Sequence, residues 1–176
     1  MQFITEEIEQ NGIAMLLKLV DGDSILDTYP VEYPECGFGG CDLIESPDRS
    51  MVVLALYSGQ SDYAFKVLKA SEGKLALVME EDYSFGEATY IWSSDGKKLY
   101  QIVDTYLYTD VSDFETHRVG TLNVFDIFEN RKETKEITYD FAGFDLDELD
   151  FFRMTFDVID GKPCVVMPND VIMCIE

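Results

Sequence analysis

Positive charge is scarce in this chain. Thirteen lysines and arginines face thirty-five aspartates and glutamates over 176 residues, a formal net charge of −22. Phosphate contacts need Lys and Arg, so direct binding to a nucleic-acid backbone is not expected. Histidine is scarcer still, with one in the chain. Any histidine-based dyad would have to use His117. Asp113 and Glu115 lie near it in sequence, but no Ser or Cys beside them sits in a nucleophile motif. A Gly-rich phosphate loop is also missing. No apolar run approaches the roughly 20 residues that a membrane-spanning helix requires. Met1-Gln2-Phe3-Ile4-Thr5-Glu6-Glu7 is acidic where a secretory leader would be basic, so neither a signal peptide nor a membrane partner is expected.

Cysteine is limited to four residues. Without a secretion signal these read as reduced thiols of a cytoplasmic protein. Cys36 and Cys41 flank a Gly-rich loop with four residues between them, where zinc knuckles place two. Cys164 and Cys174 could complete a set only if the last hairpin folded back onto that loop. Asp21-Gly22-Asp23-Ser24 with Asp27 offers carboxylates of the kind Ca²⁺ takes. Leu26 and Glu32 stand at the sixth and twelfth positions of that stretch, so the Gly of an EF-hand loop is missing and a solvated turn is the better reading. No metal and no cofactor are expected.

What the chain does have is a core. An apolar fraction of 47% is ordinary for a globular protein, and 1–176 reads as a single domain. Ten Tyr, twelve Phe and abundant Val and Ile tilt it toward sheet. The apolar runs are short and punctuated by turn residues. Asn11-Gly12 joins Phe3–Gln10 to Ile13–Val20, and Asp21–Ser24 turns into Ile25–Tyr29. Pro30 and Pro34 keep that third strand out of the middle of a sheet. Further on, Asp42–Glu45, Met51–Tyr57, Tyr63–Ala70 and Leu75–Met79 read as four strands of one up-and-down sheet. Ala88–Trp92, Lys98–Leu107, Thr116–Phe128 and, past a turn at Glu129–Lys135, Glu136–Phe141 continue the pattern. Asp145–Phe152 is the one helix candidate, with acids in its first turn where the dipole favours them. Met154–Ile159, Asp160-Gly161 and Pro163–Met167 form a last hairpin, and Val171–Ile175 closes an edge.

One turn is written twice. Ser46-Pro47-Asp48-Arg49, between Leu43–Glu45 and Met51–Val53, returns forty-seven positions later as Ser93-Ser94-Asp95-Gly96, between Tyr90–Trp92 and Lys98–Tyr100. A period near forty-seven lies in the range of blade-type repeats. The paired strand-Ser-x-Asp-x-strand units resemble the blade hairpins of WD40-like and TolB-like β-propellers, in which Ser-Pro-Asp-Gly between two strands is typical. The Gly-His and Trp-Asp dipeptides of a regular WD40 repeat are missing. The expected fold is therefore all-β, an antiparallel meander of short strands that is propeller-like but not a complete propeller, with a two-sheet β-sandwich as the alternative and at most one or two short helices. The resemblance implies a scaffold that hosts binding rather than one chemistry.

The acid is unevenly spread. Residues 1–48 carry eleven acids and one base, residues 49–135 fourteen and ten, and residues 136–176 ten and two. Such a field favours a basic protein partner. The candidate binding surface is the acidic, aromatic stretch Glu80, Glu81, Asp82, Tyr83, Phe85 and Glu87, read as a loop between strands. No catalytic residues are assigned. The expected function is a non-enzymatic cytosolic binding protein that docks a basic partner in an inhibitor, immunity-type or charge-mimic role. The alternative is a small carboxylate- or metal-dependent enzyme, which would show a concave pocket with perturbed carboxylates. The sequence leaves the oligomeric state open.

Overall fold

Alternating apolar and polar residues between tight turns give strands almost throughout the computed structural model. It describes residues 1–10, 12–32, 41–58, 62–85, 87–104, 117–139, 155–166 and 172–174. Among them are fourteen strands and no helix, arranged as four antiparallel sheets. The helix expected over Asp145–Phe152 and the loop carrying Cys36 lie outside the described residues. The chain divides into two compact units, Met1–Tyr90 and Ile91–Glu176.

In the first unit, β1 (Gln2–Gln10), β2 (Ile13–Asp21) and β3 (Ser24–Glu32) form a three-stranded meander. The central strand β2 buries Ala14, Met15, Leu17, Leu19 and Val20. Its one base, Lys18, pairs with Glu6 of β1. Pro30 is tolerated because β3 lies at the sheet edge, where its missing N–H removes no ladder bond. The second sheet follows in chain order as β4 (Cys41–Glu45), β5 (Met51–Ser58), β6 (Asp62–Ser71) and β7 (Lys74–Phe85). One face of it, with Val52, Leu54, Leu56, Ala64, Leu68 and Ala70, packs against Phe3, Met15, Leu17, Leu19 and Val31 of the first sheet. The other face is also covered, since Val53, Ala55, Phe65 and Val67 are fully buried. There the Tyr90 ring stands edge-on to Phe65 with centroids 5.4 Å apart, and its hydroxyl donates to the Ala64 carbonyl at 3.4 Å.

The next sheet is another four-stranded meander: β8 (Glu87–Trp92), in which the division between units falls, β9 (Lys98–Asp104), β10 (His117–Asp126) and β11 (Arg131–Tyr139). Leu99, Ile102, Leu122, Phe125 and Ile137 are among its buried apolar residues. A polar ladder crosses it: Asn123 Nδ2 donates to Gln101 Oε1 at 2.7 Å, and Thr134 Oγ1 donates to Asn123 Oδ1 at 2.8 Å. Gln101 and Asn123 are buried, and these bonds fix the register of three strands. The turn expected over Glu129–Lys135 is shorter than its composition suggests. Asp126 Oδ1 accepts the N–H groups of Phe128 and Glu129 at 3.1 and 3.0 Å, Asn130 takes φ 50°, and β11 begins at Arg131. The charges of Arg131–Glu136 belong to an edge strand, where charge discourages pairing with other chains.

A three-stranded sheet of β12 (Thr155–Ile159), β13 (Lys162–Val166) and β14 (Ile172–Cys174) completes the second unit. Asp160 and Gly161 take φ 52° and 78°, both positive as a two-residue hairpin turn demands. The expectation of free thiols is overturned here. Cys164 and Cys174 are directly opposed on neighbouring strands and form a disulfide, and Cys41 is disulfide-bonded as well. Cross-strand pairing at a separation of ten residues depends on register, which spacing alone does not reveal.

Candidate functional site

The acidic, aromatic stretch is strand rather than loop. β7 runs through Glu80, Glu81, Asp82, Tyr83 and Phe85 in one twelve-residue element, and Glu87 opens β8. Successive strand residues point to opposite faces, so Glu80 and Glu81 cannot share one surface. Glu80 is opposite Lys66, and Glu81 opposite Phe65. Glu80 Oε2 lies 3.4 Å from Lys66 Nζ, whose side chain is only 13% exposed. That ammonium also stands 5.9 Å from the centre of the Tyr29 ring. Glu80 thus neutralises a largely buried cation between the first two sheets, a structural duty that the sequence does not announce. Glu81 is half-buried on the other face. Burial pushes the Tyr63 phenol above its ordinary value, the Ser84 hydroxyl bonded to it pulls the other way, and the Glu81 carboxylate adds to the rise. Asp82 is exposed. The side chains of Tyr83, Phe85 and Glu87 lie outside the described residues. Glu80 and Glu81 therefore face apart; among the described side chains of this stretch Glu80, paired with Lys66, and Asp82 are exposed.

The twice-written turn repeats its serine and backbone hydrogen bonds. Ser46 Oγ donates to Asp48 Oδ1 at 2.8 Å and accepts the Met51 N–H at 2.9 Å. Ser93 Oγ donates to Asp95 Oδ1 at 2.8 Å and accepts the Lys98 N–H at 2.9 Å. Ser46 N–H bonds Met51 O and Ser93 N–H bonds Lys98 O, each at 2.9 Å. Even the next strand is tied in alike, with Ala70 N–H on Ser50 O at 2.8 Å and Ile127 N–H on Lys97 O at 3.1 Å. Both serines are buried. The residue after the aspartate is left-handed in each, Arg49 at φ 57° and Gly96 at φ 69°. The Ser50 N–H, then the Ser46 hydroxyl, hold the Asp48 carboxyl below the usual range; the Ser93 hydroxyl, then the Lys97 N–H, do the same for Asp95. These carboxylates are fully engaged by their own turns. They build hairpins and are not poised for proton transfer.

Asp27 is the third carboxylate with a depressed pKa, held down chiefly by the Leu75 N–H. That N–H donates to Asp27 Oδ2 at 2.9 Å, and Lys74 Nζ lies 3.9 Å from Asp27 Oδ1. A β3 side chain thereby caps the start of the β7 edge. Sequence reasoning assigned Asp27 to a polar turn; the signal it lacked was the distance of 48 positions to its partner. A groove of about 350 Å³ is lined by Met1, Gln2, Val20, Gly22, Glu45 and Arg49. Arg49 Nε lies 3.6 Å from Glu45 Oε2, and the acids of β7 do not line this groove. Among the described residues, no three His, Cys, Asp or Glu side chains group to hold a metal ion.

No family model matches the sequence, and no curated protein matches it. In fold, the chain is similar to an uncharacterized protein, lmo1340, from Listeria monocytogenes EGD-e, with a TM-score of 0.51 at 11% identity, over 98% of this chain and 50% of that one. The chain therefore spans half the length of that structure. Weaker likenesses are to TolB from Acinetobacter baumannii (TM-score 0.44, 11% identity, 98% of this chain and 40% of that one) and to an acylaminoacyl peptidase of Pyrococcus horikoshii (TM-score 0.45, 9% identity, 99% and 30%). At such identities the similarity is one of fold. Within the chain, up-and-down four-stranded sheets whose first two strands are joined by a Ser-x-Asp turn carry the blade character.

Proposed function

We propose that this chain is a non-enzymatic binding protein whose acidic surface docks a basic protein partner, in an inhibitory, immunity-type or charge-mimicking role. The supporting observation is how the charge is distributed among partners. Lys18, Arg49, Lys66, Lys74, Lys97 and Arg131 already stand against carboxylates of their own chain. Thirty-five acids far outnumber thirteen Lys and Arg, and among the described residues most carboxylates are exposed. Such a surface steers a positively charged partner and repels acidic ones. The cytoplasmic location that went with this reading came from the acidic N-terminal stretch, and reduced thiols were expected from it. The Cys164–Cys174 disulfide favours an oxidising compartment instead.

The test is capture on immobilised chain from a native cell extract, eluted with a rising salt gradient. Basic proteins released by moderate salt support the reading. Recovery of neutral or acidic proteins that resist salt contradicts it.

A further inference from the structure

We propose that the Cys164–Cys174 disulfide is a redox latch that holds the edge strand β14 on β13, and that a dithiol reductant releases this strand while the β12–β13 hairpin stays folded. β14 is three residues long, Ile172–Cys174, and meets β13 through three opposed pairs, Cys164 with Cys174, Val165 with Met173 and Val166 with Ile172. Among the described residues, no strand pairs with its other side. Ile172 is 54% exposed and Cys174 is exposed as well, so these two contribute little burial. Three paired residues, two of them exposed, are too few to hold a strand in place against the entropy of ordering it. The covalent tie does, because it removes the freedom of the detached segment. The hairpin beneath has its own support: five opposed pairs run from Thr155–Val166 to Ile159–Lys162, the turn conformation is favourable, and Pro163 and Cys164 are buried.

The two sulfurs differ in access, which sets the direction of opening. Cys164 is 0% exposed and Cys174 is open to solvent. A reductant thiolate attacks the Cys174 sulfur, the S–S bond breaks, and Cys164 leaves as a thiolate that takes up a proton. The second thiol of the reductant then closes its own disulfide and releases Cys174 as a thiol. Two electrons pass from the dithiol to the protein disulfide, and nothing else is consumed. Reoxidation by a small-molecule disulfide resets the latch.

Amide hydrogen exchange on the full chain reads the outcome, with dithiothreitol as the reductant and Cys174→Ser as a second route to the open state. Oxidised protein should protect those amides of residues 172–174 that point at β13, and reduction should speed their exchange at least tenfold while Ile159 and Lys162 change less than twofold. Cys174→Ser without reductant should reproduce the reduced pattern in these strands, and adding dithiothreitol to it should change nothing there. The proposal is overturned if residues 172–174 exchange equally in oxidised and reduced protein, if the β12–β13 amides lose protection to the same extent, or if purified oxidised protein carries alkylatable thiols at Cys164 and Cys174.

Discussion

Replacing Ser46 by alanine removes one oxygen from the centre of a turn, and the structure says what that costs. The hydroxyl is buried, donates to Asp48 Oδ1 and accepts the Met51 N–H. Met51 is itself 3% exposed, so water cannot replace the lost acceptor without opening the hairpin. One buried N–H left without a partner costs about 1–3 kcal/mol, and Asp48 loses one of its donors in addition. We expect Ser46→Ala to destabilise by about 2 kcal/mol, lowering the thermal midpoint by about 4–8 °C for a chain of this length. Ser94→Ala, at an exposed position in the duplicated turn, is the control and should stay within about 0.5 kcal/mol of the parent. Because Ser93 makes the same two hydroxyl bonds in its turn, Ser93→Ala should behave as Ser46→Ala does. Chemical denaturation followed by intrinsic fluorescence gives all three values. If Ser46→Ala is as mild as Ser94→Ala, the buried hydroxyl is not what holds the turn, and the equivalence of the two turns loses its energetic meaning.

Arg49 occupies a left-handed position where its counterpart is Gly96. Arg49→Gly should be neutral or stabilise by up to about 1 kcal/mol, and Gly96→Arg should cost about 1 kcal/mol, both read from denaturation midpoints. For Asp27, Asp48 and Asp95 the folded pKa lies below the ordinary 3.8. Their contribution is complete above that value and is lost as pH falls through the lower, folded pKa, so Asp48→Asn should flatten the acid limb of a stability–pH curve recorded below about pH 4. Self-repulsion of the −22 net charge is screened by salt, so the thermal midpoint should rise between low and moderate ionic strength; a falling midpoint contradicts this.

Most of the architecture is written in local chemistry. Gly12, Asp160-Gly161 and the Ser-x-Asp turns declare their hairpins because each residue type suits the backbone it adopts. The sequence misleads where strands carry charge. Glu80–Phe85 and Arg131–Lys135 look like loops because polar side chains crowd them, yet both lie in strands at sheet edges, where half the backbone and much of the side-chain surface stays wet. The candidate site suffers from the same error. Once those acids are strand residues, period-two alternation separates Glu80 from Glu81, and Lys66 claims the first of them. Pairings set by register, such as Cys164 with Cys174 or Asp27 with the Leu75 N–H, are tertiary facts with no local signature.

The docking claim is tested most directly by the association rate between this chain and a partner recovered by the capture experiment. Stopped-flow mixing at about 0.05 M and about 0.3 M salt spans Debye lengths from well above to below the reach of surface steering. The account predicts a rate that falls at least several-fold across that range, with dissociation changing far less. A rate that does not change with salt would show that the acidity is not a docking field.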